Sequence, residues 1–163
     1  VRLTGGVHQF TQCTISNYYL FSGSAEPLLS LYHLLPKDAI GNPAPLMRAN
    51  FDNGIIYGMG TDINTPDLKD SQVFLRNVLL KSNGSDDANF ISCLWDKDPL
   101  FYTVREDYYF NYRLKPESPA IGAGNPAYVG EICLYDIDGL NRLANGNPDL
   151  GAYVYQVPKE EDK

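Results

Sequence analysis

Large apolar residues recur along this chain in one short arrangement. Four segments carry it: Phe10-Thr-Gln-Cys-Thr-Ile15, Phe51-Asp-Asn-Gly-Ile-Ile56, Phe74-Leu-Arg-Asn-Val-Leu79 and Phe90-Ile-Ser-Cys-Leu-Trp95. Each reads phenylalanine, any residue, polar, small or polar, any residue, large apolar. Side chains of an extended strand alternate between two faces, so the third and fifth residues after each phenylalanine share a face. These are Cys13 and Ile15, Gly54 and Ile56, Asn77 and Leu79, and Cys93 and Trp95. The phenylalanine has the opposite parity and reaches the same interior only if the chain turns a corner at Gln12, Asn53, Arg76 and Ser92. Strand, corner and strand, repeated and stacked, predict a coil of parallel β-sheet with Phe10, Phe51, Phe74, Phe90, Cys13 and Cys93 as structural inward positions.

The uneven spacing of the four phenylalanines points to loops inserted between equivalent strands. Segments 41–45, 60–67 and 82–88 are rich in glycine, proline, serine and aspartate and read as those loops. Helical periodicity is weak. The best stretch, 26–35, has Pro27 near one end and Pro36 just past the other, with a Leu-Ser-Leu-Tyr alternation that suits a second strand of the first coil. An antiparallel sandwich would need hairpin turns every 8–12 residues or so, and Asn-Gly pairs such as Asn83-Gly84 and Asn145-Gly146 are too few for that.

Composition narrows the function classes. An apolar fraction of 44% with 12% aromatics supplies a core for one domain of 163 residues. Thirteen basic against 20 acidic residues give a net charge of −7 without a basic cluster, which argues against a nucleic-acid partner. The longest apolar runs fall far short of the roughly 20 residues that cross a bilayer, so no transmembrane segment is expected. Cys13, Cys93 and Cys133 are too few for a disulfide framework and read as three reduced, buried residues. The first residues have no signal-peptide pattern, so the chain reads as part of a longer protein or as one whose leader has been removed.

The C-terminal third carries the more specific pattern: Phe110-Asn-Tyr-Arg-Leu-Lys-Pro-Glu-Ser-Pro-Ala-Ile-Gly-Ala-Gly124, Asp136-Ile-Asp-Gly-Leu-Asn-Arg142 and Pro148-Asp-Leu-Gly-Ala-Tyr-Val-Tyr155. It resembles the C-terminal signature of secreted or surface-anchored bacterial proteins of the right-handed parallel β-helix type, particularly from Bacteroides-type bacteria, with a pectate-lyase-like fold. With the phenylalanine strands the resemblance covers most of the chain. It implies an all-β solenoid whose coils occupy 1–110, a capping segment at 111–157 and a charged tail at 158–163, located outside the cell or at its surface. Two positions depart from the family pattern, since Gly122 stands where an acidic residue is frequent and Val154 where a glutamate is. Arg142 is a structural residue in this reading, paired with Asp136, Asp138 or Asp149.

Candidate chemistry is sparse. Asp136 and Asp138 form Asp-x-Asp-Gly, the opening of a calcium loop, but no glutamate follows within the loop. Calcium is therefore the one cofactor to consider, against a turn whose carboxylates bond backbone amides. Asp96 and Asp98 would act as an acid–base pair only if both faced a groove. His8 and His33 lack metal-ligand spacing, and Gly122-Ala-Gly-Asn-Pro-Ala127 matches a dinucleotide fingerprint only formally because Pro126 and the missing helix exclude it. Tyrosines are abundant, and Tyr18, Tyr19, Tyr102 and Tyr109 are the candidates for stacking on sugar rings, against the alternative of packing over the fold.

Three functions compete at this point. One is a non-catalytic module that binds polysaccharide or glycan at the cell surface. Another is a polysaccharide lyase or glycoside hydrolase with most of its active site upstream, to which this chain offers Asp52, Arg48, Arg76 and Arg105. The last is a purely structural terminus, whose open first coil would be covered by an upstream segment or by a second copy in a homo-oligomer.

Overall fold

A computed structural model describes residues 1–18, 26–34, 46–64, 67–106 and 109–157, with only the backbone of 105 and 106. Among these residues eleven short strands follow in order: β1 (Arg2–Leu3), β2 (Gly6–Thr11), β3 (Thr14–Ile15), β4 (Ser30–Leu31), β5 (Leu46–Asp52), β6 (Ile55–Ile56), β7 (Val73–Arg76), β8 (Leu79–Leu80), β9 (Phe90–Ile91), β10 (Phe101–Glu106) and β11 (Tyr109–Leu114). Two single turns of 3₁₀ helix, Pro126–Tyr128 and Glu131–Cys133, lie in the C-terminal segment.

The strands form four separate sheets. Strands β2-β5-β7-β9 and β3-β6-β8 make two parallel sheets, β1 pairs in parallel with β4, and β10 and β11 form an antiparallel hairpin. This corrects the expectation of a parallel β-helix. No closed solenoid forms among the described residues, because the third parallel sheet stops at two strands, extended only by a single bridge from Leu29 to Ile63. Connections of such unequal length do not return the chain to the same third wall at each circuit.

Within the two larger sheets the repeats do stack. Phe10 pairs with Phe51, Phe51 with Leu75 and Leu75 with Phe90. The Phe10 and Phe51 rings stack 4.8 Å apart and nearly parallel. The third repeat therefore begins one residue later than the sequence pattern placed it. Phe74 pairs with Asn50 and is only half-buried, while Leu75 is fully buried. A one-residue slip exchanges the two faces of a strand, and the core took leucine.

The corners confirm that register. Gln12, Asn53, Asn77 and Ser92 all have φ between 51° and 56°, whereas the expected corner at Arg76 is instead the last residue of β7. Left-handed backbone costs most residues roughly 1 kcal/mol or more, and asparagine tolerates it best after glycine. After each corner, Ile15, Ile56 and Leu80 come into line. Ile56 and Leu80 enter one core with Leu3, Leu31, Phe51 and Leu75, and Ile15 packs against it. Their neighbours Ile55 and Leu79 face a second core with Phe101, Leu114, Ala120 and Leu150. Burial on both faces is why β6 and β8 read Ile-Ile and Leu-Leu instead of alternating.

The β9 end of the stack is closed by its own loop. The Asp86 carboxylate accepts bonds from Ser92 N (2.6 Å), Cys93 N (3.1 Å) and Trp95 Nε1 (3.1 Å), taking the place of a further strand. Gly84 lets the Trp95 ring lie over the loop, since a Cβ there would stand 2.4 Å from the ring. The C-terminal segment runs beside the corners. Asn53 Nδ2 donates to Asn125 O (2.9 Å), Asn125 N to Asn53 Oδ1 (2.8 Å) and Asn77 Nδ2 to Ala123 O (3.1 Å).

All three cysteines are free thiols and half-buried, more exposed than the sequence reading held. Burial pushes the Cys93 thiol from 9 up to about 11. The folded state then keeps a proton that the unfolded chain releases, so stability falls as pH rises from about 9 to about 11. Urea midpoints at pH 8 and 10.5 check this, and Cys93→Ser should flatten the slope. Tyr57 and Tyr112, both raised mainly by burial, add to the slope with the same sign and remain in that variant.

Candidate functional site

A cleft of about 580 Å³ opens where the chain leaves β3, β6 and β8 and meets the hairpin β10–β11. Its walls hold Tyr18, Tyr57, Lys81, Asp98, Phe101 and Lys115. Each arrives there for a local reason. Tyr57 follows the buried pair Ile55-Ile56, and Gly58 after it comes so close to Asn17 that a Cβ would stand 2.6 Å from Asn17 O. Met59 N donates to that oxygen (2.8 Å), which fixes the Tyr57–Gly60 turn beside Tyr18. Lys81 follows β8 and its Nζ donates to Gly58 O (3.2 Å) and Gly60 O (3.0 Å), holding a cation at the rim.

The opposite wall is set by strained backbone. Asp96 and Leu100 both have φ near 50°, and the Asp98 carboxylate between them accepts a bond from Leu100 N (2.8 Å). A leucine in the left-handed region is uncommon, and such strain concentrates where a side chain must be aimed. Lys115 N donates to Leu100 O (2.9 Å) and joins the base of the hairpin to this turn. Burial, then the adjacent Asp98 carboxylate, raise the Tyr57 phenol above its ordinary 10, with Asp96 adding to the effect. The phenol stays protonated at neutral pH, and is a donor there and not a base.

Of the sequence candidates, Tyr18 and Asp98 converge on this cleft. Tyr18 serves two ends, since its ring also packs edge-on against Phe101 and beside Tyr112, both at 6.4 Å. Tyr102 and Tyr109 sit exposed on the hairpin outside the cleft, and Tyr19 lies outside the described residues. Tyr57, Lys81 and Lys115 also line the cleft and are not among the sugar-stacking or acid–base candidates of the sequence. A tyrosine leaving a buried aliphatic pair into Gly-x-Gly was the available signal for the first of them.

The remaining candidates are held by protein partners. Asp136 accepts bonds from Asp138 N, Leu140 N and Val154 N at 2.8–2.9 Å, and Asp138 forms a two-point pair with Arg113, which stacks on Tyr153. Among the described residues no group of three or more His, Cys, Asp or Glu gathers around a metal-sized space. Arg142 does not bond to a carboxylate, contrary to the expected pairing. It is buried and donates to Gly151 O (3.1 Å) and Ala152 O (2.8 Å), because Asp136 and Asp149 spend their oxygens on backbone amides. Asp52 and Arg76 come together in a two-point ion pair of 2.6 and 2.8 Å with Gln9 as a third partner, on the outside of the sheet and apart from the cleft. Arg48 lies along the same strand as Asp52, and of Arg105 only the backbone is described.

No helix among the described residues is long and apolar enough to cross a membrane. Comparison of the chain with protein-family models, with curated proteins and with solved structures finds no match.

Proposed function

We propose that this chain is a non-catalytic, glycan-binding part of an exported protein, and that the Tyr18–Tyr57 cleft holds a segment of polysaccharide or cell-surface glycan. The observation that carries this reading is the mixture in one concavity of tyrosine rings with a carboxylate and two ammonium groups. Rings offer a face to the apolar side of a sugar, and the protonated Tyr57 hydroxyl, Asp98, Lys81 and Lys115 offer donors and an acceptor to its hydroxyls. Its volume lies in the range of about 300–1,000 Å³ usual for small-ligand sites.

The test is titration calorimetry against a panel of neutral and acidic polysaccharides. One glycan class is expected to bind, with Tyr57→Ala weakening it roughly tenfold, equivalent to about 1.4 kcal/mol. Tyr57→Phe keeps the ring and should cost about threefold, the worth of one hydroxyl bond. Tyr102→Ala and Tyr109→Ala should leave affinity unchanged. Equal binding by wild type, Tyr57→Ala and Asp98→Ala would remove the cleft from the proposal. Release of new reducing or unsaturated sugar ends from a bound glycan would replace binding with catalysis.

A further inference from the structure

Asparagine followed by glycine is chemically labile, because the glycine N–H can attack the asparagine side chain with no Cβ of its own in the way. This chain has three such pairs, Asn53-Gly54, Asn83-Gly84 and Asn145-Gly146. The fold makes them unequal. Asn53 is fully buried, and its side-chain oxygen and nitrogen are both bonded to the backbone of Asn125, at 2.8 and 2.9 Å. Asn145 is exposed, but Gly146 N donates to Leu143 O (3.4 Å), so the attacking nitrogen is already engaged in a turn. Around Asn83 neither restraint exists. Asn83 and Gly84 are both exposed, and among the described residues neither the Asn83 amide nor Gly84 N has a hydrogen-bond partner.

A change at Asn83 would be felt at once by the closure of the stack. Gly84 lies against the ring of Trp95, the single tryptophan of the chain, and that ring packs on Phe90 of β9 with centroids 5.0 Å apart. Two residues further on, Asp86 closes the β9 end through Ser92 N, Cys93 N and Trp95 Nε1. We infer that Asn83 is a self-modifying site, which converts spontaneously to aspartate and isoaspartate and thereby loosens the loop that closes the β9 end of the stack. The inference does not depend on what the cleft binds.

Water is the only co-reactant. Gly84 N gives its proton to hydroxide and forms a bond to Asn83 Cγ, while the Cγ–Nδ2 bond breaks and the amide nitrogen takes a proton from water to leave as ammonia. A succinimide ring remains. Water then opens it at either carbonyl carbon. Opening at Cγ gives aspartate, and opening at the main-chain carbon gives isoaspartate, in which the backbone runs through Cγ and is longer by that carbon. One ammonia is lost, one water is gained, and nothing is oxidised or reduced. Either product is a carboxylate at neutral pH and sets a further negative charge close to Asp86 and Asp87 in the sequence. Isoaspartate also shifts Gly84 along the Trp95 ring, where a Cβ would already stand 2.4 Å from the ring.

The full chain is incubated in mildly alkaline buffer, both folded and in urea, then digested. The three Asn-Gly peptides are weighed, and isoaspartate is counted by methyltransferase labelling. In urea the three pairs are expected to convert at similar rates. In the folded chain Asn83 should convert roughly tenfold faster than Asn145, and Asn53 only as fast as its corner opens. Trp95 emission should move to longer wavelength in step with isoaspartate at position 83. That shift should be absent from Asn83→Gln, whose longer side chain closes the ring far more slowly, and kept by Asn145→Gln. Equal rates at Asn83 and Asn145 in the folded chain, earlier conversion of Asn53, or isoaspartate at position 83 with unchanged Trp95 emission would each overturn the assignment.

Discussion

Asn53→Ala is expected to lower the melting temperature by roughly 10 °C, corresponding to about 3 kcal/mol. Asn53 is fully buried with φ of 52°, the second of the four corners. Alanine in left-handed backbone costs about 1 kcal/mol. The larger part comes from the side chain. Its amide both donates to Asn125 O and accepts from Asn125 N, and removing it leaves two backbone groups of the C-terminal segment without partners, at about 1–3 kcal/mol. Asn53→Gly separates the two contributions, because glycine restores the backbone freedom and not the bonds. It should recover about 1 kcal/mol of the loss. Thermal and urea unfolding of both variants decide the matter, and a change below about 0.5 kcal/mol in each would show that the corner amide does not hold the segment.

Gly151→Ala should be similarly costly, at about 3 kcal/mol, for a different physical reason. Gly151 has φ of +87°, and a Cβ there would stand 2.6 Å from Thr14 Oγ1 and 2.8 Å from Ile55 Cδ1. Neither neighbour is at liberty to move. Thr14 holds Ala152 N, and Ile55 is packed in the second core. Gly122→Ala provides the contrast, since Gly122 has φ of +64° with open space around its missing Cβ and should cost only about 1 kcal/mol. Gly151 N also donates to Asn53 O at 2.9 Å, so the two seam residues touch. The double variant Asn53→Ala/Gly151→Ala is expected to lose less than the sum of the two single losses, and strict additivity would place them in independent structures.

These effects meet at one seam, and the seam bears on the site. Ile55 is locked between Gly151 and the second core, and Tyr57 leaves the strand two residues later. Loosening the C-terminal segment should therefore weaken the proposed glycan binding even though Asn53 and Gly151 lie outside the cleft. Affinity measured on Asn53→Gly below its melting temperature follows that coupling.

Local physics made part of this legible in advance. Alternation of side chains marked the strands, and aliphatic pairs such as Ile55-Ile56 marked positions buried on both faces. The parity of the phenylalanine motif placed three of the four corners, at Gln12, Asn53 and Ser92, and turn chemistry gave Asp136 its bonds to the nearby amides of Asp138 and Leu140. All of these are decided within a few residues of chain. The register of the third repeat was not, because Phe74 and Leu75 fit the apolar position equally well in isolation, and only the shared core and the left-handed turn at Asn77 chose between them. Nor was the failure of the third parallel sheet to continue, which depends on where unequal connections return the chain.

The site shows the same division. Tyr18 and Asp98 were visible as residue types with a use, yet nothing in their spacing joined them to Tyr57, Lys81 and Lys115. Arg142 was given the wrong partners, because Asp136 and Asp149 were already bonded to backbone amides and Asp138 to Arg113. What the sequence by itself determined was the strands of the phenylalanine repeat, most of their corners and the chemical inventory, while the antiparallel pairing of β10 with β11 was not among them. What only the tertiary structure decided was which strand faces which, which polar groups are already taken and which side chains meet in a cleft, since each rests on contacts between segments that lie far apart along the chain.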